Sequence, residues 1–141
     1  MIFLVEPYTG AGPIRLGMRV EEIEAALGQR SVAVDKGGEC PVATFPRDGV
    51  HAEIAADGRC TAIELMAPAI PVLDGQPLLG PSFAEVRAWL AARDPRLSED
   101  GSGVTSDRLG VGLYAPAAAE DPGRPAEGAI IFEHGYYQDQ G

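Results

Sequence analysis

Two short segments of the chain carry apolar residues at helical spacing. In the first segment, Val20, Ile23 and Leu27 occupy positions i, i+3 and i+7, which lie on one stripe of an α-helix. The second segment repeats this spacing over residues 83–90. The pattern therefore predicts two short amphipathic helices.

The residues that flank these segments predict where the helices begin and end. Ser82 and Glu85 have the spacing of a capping box, in which each side chain accepts a hydrogen bond from an otherwise unpaired backbone amide. Arg19 occupies the position of Ser82 before the first helix. Because Arg cannot accept that bond, we expect a cap weaker by about 1 kcal/mol. Gly28 is suited to ending the first helix in a left-handed conformation.

Other segments alternate apolar and polar residues with a period of two. The alternation runs over residues 50–55 and 61–66, with the turn dipeptide Asp57-Gly58 between them, and predicts a β-hairpin. Further strands are predicted at the following positions: residues 1–5, 32–34, 42–45, 111–114 and 130–133.

Three segments lack such patterns. Residues 115–128 contain three prolines and predict a long exposed loop. Residues 101–106 predict a flexible loop whose serines form no G-x-S-x-G nucleophile elbow. Residues 67–76 cluster proline and glycine, and we place the boundary between two halves of the chain there.

An internal similarity supports this division. Residues 16–30 align with residues 79–93, and both segments keep Leu, Gly, Glu, Ala, Leu and Arg at matching positions. We therefore predict one domain over residues 1–141, built from pseudo-repeat halves 1–70 and 71–141.

The fold class that follows is α+β: two helix-then-strand halves form one antiparallel sheet, with the helices on one face. Nine strand residues are predicted to face the helices: Val50, Ala52, Ile54, Ile63, Leu65, Val111, Leu113, Ile130 and Phe132. The opposite, open face is predicted to carry His51, Glu53, Glu64, Tyr114 and Glu133.

The charge balance narrows the choice of partner. The 141 residues include 21 acidic and 11 basic side chains, which gives a net charge of −10. Such a surface repels nucleic acid and anionic membranes, and it favours a basic protein partner or simple solubility. The apolar start, Met1 to Val5, is too short for a secretory signal, so we expect a cytoplasmic protein.

The sequence offers little catalytic or metal-binding chemistry. Cys40, Cys60, His51 and His134 have no zinc-site spacing, and we predict neither a metal nor a cofactor. The redox state of the two cysteines stays open. Glu133 and His134 are neighbours on a strand and point to opposite faces.

His51 is better placed than His134, because Glu53 shares its strand face. Glu64 on the partner strand can join them, and several carboxylates near a histidine favour its charged form. A charged histidine suits a binding surface better than a general base, so we predict no catalytic residue.

Part of the chain resembles known interaction modules. The residues Gly17-Met18, Glu22 and Leu27-Gly28 resemble an opening found in the small lipoprotein of the outer-membrane barrel-assembly machinery, and in tandem in β-lactamase inhibitor proteins. The second copy keeps Gly80 but has Pro81 in place of Met. The resemblance implies a tandem module of short helices packed on antiparallel strands. The lipobox cysteine is absent, so membrane anchoring is not implied.

The leading hypothesis is a non-enzymatic protein-binding or inhibitory module, such as a cytoplasmic immunity protein for a basic toxin. The predicted partner-binding residues are His51, Glu53, Glu64, Tyr114, Glu133, Tyr136 and Tyr137. The two last tyrosines either stack on a partner or complete the last strand. Alternatives are a small-ligand binder or enzyme that uses the acidic face, and a homodimer, against which the like charges of that face count.

Overall fold

The computed structural model describes residues 1–34 and 42–137. These residues form two helices, α1 (Val20–Leu27) and α2 (Phe83–Arg93). The strands are β1 (Ile2–Glu6), β2 (Gly10–Ala11), β3 (Ile14–Arg15), β4 (Val32–Val34), β5 (Val42–Phe45), β6 (Val50–Ile54), β7 (Cys60–Leu65), β8 (Ile70–Leu73), β9 (Gln76–Pro77), β10 (Ser98–Asp100), β11 (Gly103–Ser106), β12 (Val111–Tyr114) and β13 (Gly128–Phe132).

The strands form two sheets. The larger has eight strands in the order β10-β11-β12-β13-β7-β6-β5-β4, and every neighbouring pair in it is antiparallel. The smaller has the order β3-β2-β1-β8-β9, and its β1–β8 pair is parallel. The α+β class with mainly antiparallel strands is confirmed, whereas the smaller sheet was not predicted.

Both helices begin and end where the sequence indicates. Gly28 takes a left-handed conformation with φ of 62° and ends α1. The Ser82 hydroxyl accepts a hydrogen bond of 3.1 Å from the Glu85 amide at the start of α2. At the start of α1, the Arg19 amide donates to the Glu22 carboxylate at 3.0 Å. The guanidinium of Arg19 supplies no acceptor for the other half of that capping box.

The predicted hairpin is confirmed as β6 and β7. Its register pairs Val50 with Leu65 and Ala52 with Ile63, and an irregularity follows Glu53. Gly58 in the turn has φ of 89°, a conformation that few residues other than glycine adopt readily. The weaker strand predictions near residues 32–34 and 42–45 are confirmed as β4 and β5.

The prediction of which face of β13 points to the core is wrong, because the core-facing positions are shifted by one residue. Ile131 pairs with both Ile63 and Val111 and lies in the core, whereas Ile130 pairs with Glu64. Ile130 and Phe132 therefore lie on the face opposite to the predicted one. Residues 129–132 are all apolar, so the local pattern could not distinguish the two orientations, and pairing with neighbouring strands decides between them.

One hydrophobic core joins the helices and both sheets. It buries seven of the nine predicted strand residues: Val50, Ala52, Ile54, Ile63, Leu65, Val111 and Leu113. The same cluster contains Ile23 of α1, Leu90 of α2 and Phe3 of β1. The face of the large sheet that carries Val50, Ile63 and Ile131 is therefore the core face, and we refer to the opposite face as the outer face.

Two segments predicted as irregular contain strands. Residues 70–73 form β8, which pairs with β1, and residues 103–106 form β11, which pairs with β10 and β12. Both segments become strands because of the strands they pair with, β1 for β8 and β10 and β12 for β11. Their own composition therefore does not predict a strand. Residues 115–127 of the predicted loop contain no helix or strand, but Gly128 begins β13, and Ala115 and Ala126 are buried rather than exposed. The carbonyls of Pro122 and Arg124 accept hydrogen bonds from the first amides of α2.

The small sheet leaves apolar side chains exposed. Ile2 pairs with Ile70 and Leu4 with Val72, and Leu4 is 62% exposed. Such a surface is typical of an interaction site when it is contiguous.

Candidate functional site

Four of the predicted binding residues lie on the outer face of the large sheet. The register places one row of residues across seven strands: Thr44, His51, Glu64, Ile130, Gly112, Thr105 and Ser98. Glu53 follows His51 by two residues along β6, and Tyr114 follows Gly112 by two along β12. Because side chains alternate along a strand, Glu53 and Tyr114 share this face with His51 and Glu64.

The outer face carries carboxylates but no lysine or arginine on its described strands. Within residues 1–34 and 42–137, no strand residue of this face is lysine or arginine. His51 and Glu64 pair across β6 and β7, but no ion pair between them is present in the described residues. The Glu64 carboxylate is therefore available to a ligand.

The C-terminal tyrosines cover one end of the outer face. The Tyr136 hydroxyl donates to the Glu53 carboxylate at 2.5 Å, and the Tyr136 ring stacks on Phe132 with centroids 5.8 Å apart. Tyr137 contacts Phe132 edge-on at 5.0 Å and shares a hydrogen bond with Thr105. Burial raises the pKa of Tyr137, and nearby Glu53 adds to the effect. The two tyrosines thus neither extend β13 nor stand free, and Glu53 is engaged within the protein.

Glu133 and His134 follow β13 and lie outside the row that contains Glu64, and the Glu133 carbonyl accepts a hydrogen bond from the Tyr136 amide. The Glu133 carboxylate forms an ion pair of 3.2 Å with Arg59, which also pairs with Asp57 in the β6–β7 turn. The His134 ring stacks on Tyr8 at 3.6 Å. Glu133 is therefore neutralised at the hairpin end, away from the row that contains Glu64.

The outer face contains a pocket of about 240 Å³, and Tyr137 is among its lining residues together with Glu64 and Tyr114. Its floor has little side-chain bulk, because Gly103, Gly112 and Gly128 belong to three neighbouring strands. Tyr114 pairs with Gly103 on one side and with Gly128 on the other. Tyr114 is 54% exposed, so its ring can pack against a molecule in the pocket.

Asp100 adds a fixed negative charge to the pocket lining. One of its carboxylate oxygens accepts from the Ser102 amide at 2.7 Å and from the Ser102 hydroxyl at 2.8 Å. These hydrogen bonds, with a further one from the Gly103 amide, hold the pKa of Asp100 below its usual value. Asp100 was not predicted as a binding residue, although Asp100-Gly101 is the same kind of turn dipeptide as Asp57-Gly58.

Cys60 has no reactive role in this arrangement. The thiol is fully buried, and desolvation raises its pKa to about 12, which suppresses the nucleophilic thiolate. Cys40 lies outside the described residues.

The described part of the chain holds no group of three or more His, Cys, Asp or Glu side chains arranged to bind a metal ion. None of its helices has the length and apolar composition that a bilayer crossing requires.

Comparison of the chain with protein families, with curated proteins and with solved structures finds no match. The chemical evidence for function is therefore the outer face itself: a concave, glycine-floored surface with an exposed tyrosine and carboxylates that lack a cationic partner.

Proposed function

We propose that this protein is a non-enzymatic binding or inhibitory module that docks a basic protein on the outer face of its large sheet. The observation that carries the proposal is the pocket between Glu64 and Tyr114, where a half-buried carboxylate and an exposed aromatic ring share a surface without lysine or arginine. Buried aromatic anchors supply much of the energy of protein interfaces, and complementary charge directs the encounter.

The net charge of −10 supports a basic partner. Long-range attraction between oppositely charged proteins raises the association rate and weakens as salt increases. The same charge disfavours pairing of two outer faces in a homodimer, because the carboxylates of both copies would meet.

The pocket's size weighs against the small-ligand alternative. Its volume of about 240 Å³ lies below the roughly 300–1,000 Å³ of typical small-molecule sites. It suits a single side chain of a larger partner better than a whole metabolite or cofactor.

We further propose a two-half arrangement in which each helix precedes four strands of the large sheet and both helices shield its core face. The chain order supports this: β4 to β7 follow α1, β10 to β13 follow α2, and the two groups meet where β7 pairs with β13. The arrangement agrees with the tandem module that the residues around Gly17 and Gly80 resemble. A cytoplasmic immunity protein for a basic toxin is the form of this function that we favour.

Affinity capture from the native host tests the function, provided that matched variants are run in parallel. Glu64→Gln removes the unpaired carboxylate of the outer face and preserves side-chain shape. Glu21→Gln removes the same charge from the exposed surface of α1 and serves as the control. We expect the wild type and Glu21→Gln to capture a basic protein. Glu64→Gln should capture the same protein poorly.

The inhibitory role is then read from the captured protein, whose activity should fall when the wild-type chain is added. Absence of any such protein, or capture that is equal for both variants, would contradict the proposed function.

A further inference from the structure

We infer that the pocket on the outer face is an anchor site for an arginine side chain, whose guanidinium lies over Gly128 between the Glu64 carboxylate and the Tyr114 ring. This inference rests on the proposed function and specifies the chemical group that the partner inserts.

The strand register places the three groups at suitable spacing. Gly128 lies on β13, between β7, which carries Glu64, and β12, which carries Tyr114. Tyr114 pairs with Gly128, whereas Glu64 pairs with Ile130, two residues further along β13. With about 4.8 Å between neighbouring strands and about 3.4 Å per residue along a strand, the backbones of Glu64 and Tyr114 stand roughly 12 Å apart on the diagonal. A planar cation fits between a carboxylate and an aromatic ring at that separation.

The floor beside Tyr114 carries no side chain because residue 128 is glycine, whereas Ile130 lies next to Glu64. A Cβ atom on Gly128 would meet only the Leu65 carbonyl oxygen, at an ordinary 3.5 Å. The backbone there tolerates a side chain, so a larger residue at position 128 would fill the pocket without distorting β13. Gly103 is different, because its Cβ would come within 1.8 Å of the Leu113 carbonyl oxygen, and the fold itself requires glycine at that position.

The chemistry of the lining selects arginine over lysine. A guanidinium can donate two parallel hydrogen bonds to one carboxylate while its flat face stacks on an aromatic ring. An ammonium group makes the ion pair but lacks the planar surface for stacking. Asp100 pairs with Gly103, which itself neighbours Tyr114, and its charge adds to the negative potential of the pocket.

The test is a titration of the isotopically labelled full chain, followed by amide NMR, with the peptide amides acetyl-Gly-Arg-Gly, acetyl-Gly-Lys-Gly and acetyl-Gly-Gln-Gly. We expect saturable shifts at Gly112, Gly128 and Ile130 with the arginine peptide, at least about threefold weaker binding of the lysine peptide, and no saturable shift with the glutamine peptide. Equal binding of the arginine and lysine peptides, or shifts spread over the acidic surface, would overturn the inference.

Two variants separate charge from shape. Glu64→Gln should weaken binding of the arginine peptide at least about fivefold. Gly128→Val keeps the Glu64 carboxylate but fills the pocket, and it should abolish the saturable shifts. Glu21→Gln should leave the titration unchanged, and dispersed amide spectra verify that each variant is folded. If Gly128→Val binds like the wild type, the pocket is not the site.

The outcomes distinguish this inference from the proposed function. Capture of a protein that depends on Glu64, together with peptide titrations that show no saturable shift, would overturn only the arginine site. Saturable binding of the arginine peptide without any protein capture would support the site and contradict the proposed function.

Discussion

Single residues in this protein owe their roles to neighbours that are distant in the chain. Asp94, at the end of α2, is buried and accepts a hydrogen bond of 2.7 Å from the buried Ser106 hydroxyl. Burial raises the pKa of Asp94, but hydrogen bonds from Ser106 and the Arg96 and Arg108 amides outweigh it, so the net pKa lies below the usual value. Ser106 was predicted to lie in a flexible loop, because nothing near it in the sequence indicates the hydrogen bond with Asp94.

Cys60 provides a test at this scale. Its thiol pKa is raised from 9.0 to about 12 by burial, so at pH 8.5 the folded protein holds far less thiolate than the unfolded chain. In a Cys40→Ser variant, we expect iodoacetamide to modify Cys60 at least about 100-fold more slowly under native conditions than in urea. Mass spectrometry of quenched time points measures the two rates.

The pH dependence has a definite sign. Well below pH 9 the Cys60 thiol is neutral in both states, so it gives stability no pH dependence there. As pH rises toward about 12, mainly the unfolded chain ionises, so the free energy of unfolding falls. Equal alkylation rates for folded and unfolded protein would show that Cys60 is accessible, contrary to the packing described here.

At the scale of elements, the features that were predicted correctly are those that depend on residues close together in the sequence. The capping signals at Ser82 and Gly28 and the turn at Gly58 correctly placed two helices and the central hairpin. The orientation of β13 was wrong because Ala129 to Phe132 are uniformly apolar, and the parallel β1–β8 pair was missed because its partners are 68 residues apart, as for Ile2 and Ile70. Strand pairing at such separations is decided by packing rather than by local propensity.

The start of α1 offers a prediction about element stability. Arg19→Ser supplies the hydroxyl acceptor that the cap lacks and keeps the backbone donor to Glu22. We expect the free energy of unfolding to rise by about 1 kcal/mol, measured by urea denaturation. The matched change at α2, Ser82→Ala, removes an existing acceptor and should lower it by about 1 kcal/mol.

Arg19 also donates a hydrogen bond of 3.3 Å to the Asp57 carbonyl, which the serine variant loses. The exposed position of that bond makes its contribution small. An Arg19→Ser variant less stable than the wild type would indicate that this link to the β6–β7 turn outweighs the helix cap.

At the scale of the whole molecule, the sequence predicted which residues share the outer face better than it predicted which of them are available to a partner. His51, Glu53, Glu64 and Tyr114 share one face of the large sheet, as the period-two pattern indicates. Their availability differs, because Tyr136 engages Glu53 and Arg59 engages Glu133. These contacts depend on how the C-terminal segment folds back, and no local pattern encodes that path. The usable surface is therefore narrower than predicted and centres on Glu64, Tyr114 and the glycines between them.

The exposed side chains of two separate surfaces allow the binding mode to be tested directly. Tyr114 on the outer face is 54% exposed, and Leu4 on the small sheet is 62% exposed. Hydroxyl-radical footprinting, read by mass spectrometry, reports the accessibility of both in the free protein and in its complex with the captured partner.

We predict that complex formation protects Tyr114 strongly and leaves Leu4 as reactive as in the free protein. Unchanged reactivity at Tyr114, together with protection at Leu4, would place the interface on the apolar side of the small sheet and would contradict docking on the outer face.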